Sequence, residues 1–263
     1  MTSRTLRTVI ATKYVTPFRE GGSLPGLVEA DDDGLYVVKF HGAAQGPRAL
    51  VAEVLAGELA RGLGLPVPEL VLVDIDAALG GLDGDPWVGE LLGRSPGINA
   101  GIDFLPGSLA FNPRADGRPD PNFAANVVWF DALVTNTDRS HRNPNIVAWH
   151  RRLYLIDHGA ALFIHHTWRD PGEHARRPLE TIAEHVLLPY ASSLEGAHER
   201  LAPLVTKSLL RSIVDLVPDA WLLPHPIVGD AAAQRDAYVT YLLARIATPV
   251  ALVDAIEDLR HAA

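Results

Sequence analysis

The sequence predicts a two-lobed α+β fold: a small antiparallel sheet with one helix over about residues 1–105, then a mainly helical lobe over about residues 106–263. Three observations predict it. Short β-branched or alternating runs, at 5–15, 35–40 and 69–75, lie in the first part. Apolar residues at helical spacing mark Phe123–Thr135, and segments dominated by Ala, Leu and Arg make most of the chain from about residue 179 helical. Between them runs GRSPGINAGIDFLPGSLAFNPRADGRPDPN, broken throughout by Gly and Pro. Long irregular segments in a compact domain often carry function. This one reads as the connection between the lobes and the rim of a cleft.

Composition narrows the function classes. A chain of 263 residues is long enough for one large domain or two lobes with a real core. Hydrophobic residues at 48% and charged residues at 21% give the balance of a globular protein rather than a disordered one. The absence of cysteine excludes disulfides, zinc–thiolate sites and thiol catalysis. A net charge of −9 argues against nucleic acid and anionic membranes as partners. The opening MTSRTLRTVI lacks the apolar core of a signal peptide. No apolar run reaches the roughly 18–20 residues of a membrane span. The expected location is cytoplasmic.

The elements follow in order. TLRTVIATKYV reads as a strand. The segment REGGSLPGLVEADDDG is a loop or hairpin, in which Gly21, Gly22 and Gly26 surround Ser23. Glycines let backbone N–H groups approach phosphates closely, though a plain surface turn has the same composition. Leu35–Phe40 is a strand whose alternation places Val37 and Lys39 on one face. After Gly46-Pro47 a helix runs from about Arg48 to Leu63, stopped by Gly64 and Pro66. Of its acidic residues, Glu53 is the preferred partner for Lys39, and Glu58 reads as part of a solvated face. Glu69–Ile75 and Trp87–Leu92 read as strands, with a turn region between them. Phe123–Thr135 is a helix that feeds the loop TDRSHRNPN. Residues 145–150 and 153–156 form a hairpin around Arg151-Arg152. Helices are expected over about 179–194, 207–216, 229–247 and 250–260, with the irregular segment HHTWRDPGEHARRP before them.

The chemistry concentrates between Asp131 and Gly159. Asp138 is followed five residues later by Asn143, and the apolar run Leu153–Ile156 delivers Asp157-His158-Gly159. An Asp–x4–Asn loop before a strand ending in Asp-x-Gly suits metal-assisted phosphoryl transfer. One carboxylate orients the attacking hydroxyl. An amide oxygen and a second carboxylate hold magnesium on the nucleotide phosphates. Lys39, alone an edge-strand lysine, then becomes the group that reaches those phosphates.

Each piece also has a plain structural reading. Asp138 caps a turn, Asn143 before Pro144 is a turn residue, and Asp157-His158-Gly159 is a strand-to-loop turn. Arg139 and Arg142 add charge to a transition state or serve as loop pairing. The order Lys39, Asp138, Asn143, Asp157 is what favours the chemical reading. A metal-dependent hydrolase built on His141, His150, His158, His165, His166 and His174 has no H-E-x-x-H or comparable spacing behind it.

The pieces GGSLPGLVEADDDGLYVVKF, ALVAEVLAGELARGLGLPVPEL, TDRSHRNPNIV and YLIDHG, in that order over about residues 20–160, resemble the HipA-like kinase domain family. That family is a branch of the protein-kinase-like and phosphatidylinositol-kinase-like superfamily. The resemblance implies a two-lobed protein-kinase-like fold with an antiparallel-sheet N-lobe and a helical C-lobe. It implies an ATP-dependent kinase that uses Mg2+ and phosphorylates an unidentified hydroxyl acceptor, on a protein Ser or Thr or on a small molecule. By position, Lys39 resembles the phosphate-contacting lysine and Glu53 its ion-pair partner. Asp138 resembles the catalytic aspartate, and Asn143 and Asp157 the metal ligands. The glycine loop at Gly22 and Ser23 and the connection Asp103-Phe104-Leu105 would contact the nucleotide, the latter through backbone contacts to adenine. His158 replaces the usual Phe, and Asn145 lies close enough to Asn143 to compete for its role. The segment from Ile164 to Pro178 is expected to shape acceptor choice. The alternative is a pseudokinase that binds nucleotide without turnover.

Overall fold

The structure is a computed structural model that describes residues 4–18, 25–82, 86–113, 115 and 117–262. Five strands form a closed barrel in the order β1-β2-β3-β5-β4: β1 (Arg7–Pro17), β2 (Gly26–Ala30), β3 (Leu35–Lys39), β4 (Leu70–Ile75) and β5 (Gly97–Asp103). The expected sheet was antiparallel, and four of its pairings are; β1 and β4 pair in parallel and close the barrel. Closure removes the exposed edges that an open sheet would present. Val9, Val28, Tyr36, Val38, Val71 and Val73 fill the interior.

Two expectations fail in this part. Trp87–Leu92 is not a strand but lies in helix α2 (Pro86–Gly93). Pro86 starts the helix, and Val88, Leu91 and Leu92 are its buried face, an i, i+3, i+4 spacing that a short apolar run conceals. The Gly/Pro-broken stretch is no loop at its start, because it contains β5, which lies between β3 and β4. Gly97, Asn99, Gly101 and Asp103 hide it, since these residues are depleted in strands.

Helix α1 (Gly46–Gly62) has every residue from Ala49 to Ala60 buried. It belongs to the larger core, together with Leu70, Ala100 and Ile102 of the barrel and with the helical part of the chain. A helix covered on all sides has no solvated face. Glu58, expected on such a face, is 5% exposed and pairs with Arg4 at 2.9 Å and Arg61 at 3.1 Å.

The second part is mostly helical. Helix α3 (Pro121–Val134) is capped by Asp120, whose carboxylate accepts from the Phe123 N–H at 2.8 Å. It ends at Thr135 in the left-handed conformation (φ 52°). Strand β6 (Leu109–Ala110) joins β7 (Ile146–Trp149) and β8 (Arg152–Leu155) in a small sheet. The β7–β8 turn is His150-Arg151, both at positive φ, which matches the right-handed twist of the strands. Short helices α4 (Pro171–Arg176), α5 (Leu194–Leu201) and α6 (Lys207–Val214) precede α7 (Ala231–Ile246). A π-helical turn at Val250–Asp254 leads into α8 (Ala255–Ala262). No helix spans 179–194. That stretch holds 3-10 turns at Glu180–Glu184 and Leu188–Tyr190, and Pro189 removes a donor where a longer helix would need one. Among the described residues no single helix is long and apolar enough to cross a membrane.

Candidate active site

Strand β3 ends at Lys39, which is 4% exposed. Its Nζ donates to Glu53 Oε2 at 2.6 Å and also to Asp157 Oδ1. Burial alone would pull the ammonium down, but the Glu53 and Asp157 carboxylates outweigh it and hold Lys39 above the ordinary lysine value. Burial likewise pushes Glu53 up, and the Lys39 charge and His158 hydrogen bond hold it well below the usual range. Both partners of the pair are therefore charged at neutral pH. Asp157 takes a left-handed conformation (φ 54°) just past β8, and its carboxylate stays one-third exposed. Gly159 permits the close approach, since a Cβ there would lie 3.1 Å from Lys39 Nζ.

The loop after α3 presents Asp138. Its backbone N–H donates to Asn136 Oδ1 at 3.2 Å, and Asn143 Nδ2 donates to its Oδ2 at 2.9 Å. Asn145 Nδ2 donates to the Asp138 carbonyl, and to Oδ2 at 3.3 Å. Asn145 is buried, with φ 47°, and its own carbonyl accepts from Arg139 and from the Ile156 N–H. Asn145 thus braces the loop, whereas the Asn143 side chain is less buried and donates to the Asp138 carboxylate, while its backbone pairs with Ser140.

Sequence reasoning missed the group beneath this loop. Asp131, at 0% exposure on α3, accepts from Arg139 Nε at 2.6 Å and Asn136 Nδ2 at 2.9 Å, and meets His185 Nε2 at 2.9 Å. Burial pushes the Asp131 carboxyl up, and the Arg139 guanidinium and His185 pull it far below its usual range. Arg139 is thereby committed to loop structure, not to transition-state charge. An Asp on the apolar face of a helix, eight residues before an Arg, was the signal available.

Other expected residues fare differently. Gly22 and Ser23 lie outside the described residues. Asp103 and Phe104 spend their N–H groups on Glu69 O (2.8 Å) and Leu35 O (2.9 Å), so the expected adenine contacts cannot use those two donors. Phe104 faces Phe18, with ring centroids 6.3 Å apart, and Leu105 is buried. The histidines do not assemble a metal centre. His165 meets the Tyr238 hydroxyl at 3.0 Å and His174 the Tyr241 hydroxyl at 2.9 Å. Among the described residues no three His, Asp or Glu side chains form a metal-binding group. The oxygen donors of Asp157 and Asn143 nonetheless suit magnesium, which typically takes one or two carboxylates and completes its shell with water and substrate phosphates.

Residues 12–250 match the HipA-like kinase family. Among solved structures the chain is similar to the Helicobacter pylori proinflammatory kinase CtkA, at 15% identity and TM-score 0.58, over 97% of this chain and 99% of that one. It is also similar to a Golgi casein kinase with Mn/ADP bound, at 14% identity and TM-score 0.45, over 92% of this chain and 73% of that one. No curated protein matches the sequence. At these identities the structural likeness speaks to fold alone. The family match covers most of the sequence, and the chain belongs to the HipA-like kinases, a family of phosphotransferases.

Proposed function

We propose that this protein is an ATP-dependent kinase that transfers the γ-phosphoryl group to a hydroxyl acceptor, a protein Ser or Thr or a small molecule, with magnesium. One observation carries the reading: a buried lysine at the end of a barrel strand is held between a helix carboxylate, Glu53, and the carboxylate of Asp157. Burying the Lys39–Glu53 pair costs desolvation, and such charged clusters beside a partly exposed carboxylate concentrate at functional sites. Lys39 is poised to turn from Asp157 towards phosphate oxygens while Glu53 keeps hold of it.

Asp138 orients the acceptor hydroxyl and accepts its proton as the new O–P bond forms and the bond to the leaving ADP oxygen breaks. Among the described residues Asp138 Oδ1 takes no protein hydrogen bond, so it is the oxygen offered to the hydroxyl. Asp157 and Asn143 would hold magnesium, which neutralises the phosphate charge. A small pocket, partly open to solvent, is lined by Thr137, Arg139, Ser140, Thr181, Glu184 and His185. It is walled by the residues on either side of Asp138 in the loop, not by Asp138 itself, and is the proposed approach for the acceptor. Its far wall comes just after residues 164–178, the segment read from sequence as shaping acceptor choice. The reading includes a cytoplasmic location, where ATP is supplied.

The test is ATP-Mg binding and turnover by wild type beside Asp138→Ala and Asp157→Ala. Transfer to itself, to water or to an added acceptor, lost in both variants, supports the reading. Binding without turnover, after acceptors have been screened, would favour the pseudokinase alternative. Absence of ATP binding by wild type would end the proposal.

A further inference from the structure

We infer that His158, the residue after the metal-binding aspartate, is a positioning residue that grips Glu53 and so fixes Lys39. The inference rests on the kinase reading of Lys39 and Glu53 and extends it to a residue given no role there. His158 is 0% exposed. Its backbone N–H donates to Glu53 Oε2 at 2.9 Å, the same oxygen that receives Lys39 Nζ. Its ring Nδ1 lies 3.4 Å from the other oxygen, Oε1. The Glu53 carboxylate is thus met by three groups, two of them from one residue. That residue is covalently next to Asp157, the second partner of Lys39. One peptide unit therefore couples both carboxylates that hold the lysine.

The ring has a second constraint. It makes a T-shaped contact with Phe130 of α3, with centroids 6.2 Å apart and planes at 80°. Nε2 is buried and has no hydrogen-bond partner. A proton on Nε2 alone would leave a buried donor unsatisfied and turn the Nδ1 lone pair toward a carboxylate. A proton on Nδ1 points at Glu53 and removes the repulsion between lone pair and carboxylate, while Nε2 stays unpaired in either tautomer. The position is thus used as a directed donor, which a phenylalanine cannot supply.

Two variants separate donor from filler. His158→Phe keeps the ring and its contact with Phe130 but loses the donor. His158→Asn loses the ring but places an amide N–H near the position of Nδ1. The proposal expects kcat for ATP turnover to fall about 10- to 100-fold in His158→Phe, the value of a hydrogen bond to a charged group. It expects KM for ATP to change less than kcat, and His158→Asn to recover most of the lost kcat. Full activity in His158→Phe with loss in His158→Asn would overturn it, since the ring would then act only by packing. Independently of folding in the variants and of any activity, nitrogen NMR of wild type labelled at histidine reads the protonation site. A pyrrole-type Nδ1 at His158 is the expected result, and a pyridine-type Nδ1 would overturn the proposal. Wild type that shows no nucleotide turnover would count against the kinase reading, while the NMR result still decides the grip on Glu53.

Discussion

Arg139 and Asp131 meet at 2.6 Å with both side chains fully buried, and this pair fixes the loop that carries Asp138. The guanidinium also reaches the carbonyls of Asn145 and, at 3.4 Å, Ile156. One arginine thus links helix α3, the loop that carries Asp138 and the strand leading to Asp157. The carboxylate beneath it is shared with Asn136 and His185, so the loop is held from below on several sides.

Removing that carboxylate strands a buried guanidinium. Asp131→Ala should destabilise the fold by about 3–5 kcal/mol, as breaking one side of a buried pair does. The exposed pair Arg211–Asp236 is the comparison. Asp236→Ala should cost less than about 1 kcal/mol, because solvent screens that pair. Urea unfolding of the two variants beside wild type checks the contrast, and similar losses in both would show that the buried pair is not special.

The lysine and its carboxylates should separate by their effect on chemistry. On the proposed kinase reading, Lys39→Met removes the charge offered to phosphate and should lower kcat by about 10²–10³-fold, the range for losing one preorganised electrostatic contact. Glu53→Gln leaves Lys39 with Asp157 and should cost less. Steady-state turnover with ATP and magnesium, on variants whose thermal unfolding has been recorded first, checks the order. A larger loss in Glu53→Gln than in Lys39→Met would reverse the assignment of which group touches phosphate.

Much of the arrangement was legible in the chain, for reasons that differ by residue. Lys39, Asp138, Asn143 and Asp157 stood out because each breaks a local pattern: a charge within an apolar strand, or polar residues at fixed spacing between apolar runs. Glu53 was reachable because α1 has few acidic choices. Glu58 was misread because burial on every side of α1 is a tertiary fact, and periodicity assumes one wet face. β5 was hidden because its glycines and asparagine serve close packing and buried hydrogen bonds rather than strand propensity. Asn99, for instance, donates to Ser95 O at 2.9 Å and accepts from the His41 N–H at 2.9 Å. The support of Asp131 by His185, 54 residues away, has no local signal at all.

Stability should fall as the pH is lowered, in two stages. Burial, then the nearby His166 and Arg48, pull His165 down to about 3 from 6.5. His185 is also lowered, first by burial. The unfolded chain takes up these protons below about pH 6.5 while the folded protein does not, so stability declines from there. Glu53 and Asp131 have depressed folded values, so their contribution is present above the free-carboxylate values of 4.5 and 3.8. It is lost as the pH falls below those values towards the folded ones, which adds a second, steeper loss. The urea midpoint measured from pH 8 to pH 4 should decline throughout the range below pH 6.5. A flat profile down to pH 4 would contradict the buried, uncharged histidines, and His165→Phe should shallow the first stage if the variant folds.

Gly101 tests whether the barrel interior is as close-packed as the structure has it. It lies in β5 opposite Val38 of β3 and Val71 of β4. A Cβ there would lie 2.6 Å from Val73 Cγ2 and 2.9 Å from Val71 Cγ2. Both valines are fully buried, so neither can swing into solvent. The strands are paired on both sides, so the backbone cannot retreat without losing hydrogen bonds. Gly101→Ala should therefore destabilise by about 1–3 kcal/mol, the usual cost of overpacking a core. The loss should appear as a fall in Tm of roughly 2–4 °C for each kcal/mol in a chain of this size. Gly93, at the end of α2, meets nothing within 4 Å, and Gly93→Ala should stay within about 0.5 kcal/mol of wild type. Because α1 and Lys39 rest on this barrel, Gly101→Ala should also reduce nucleotide binding, and Gly93→Ala should not. Equal stability of the two variants would mean that the barrel holds more free space beside β5 than these distances allow.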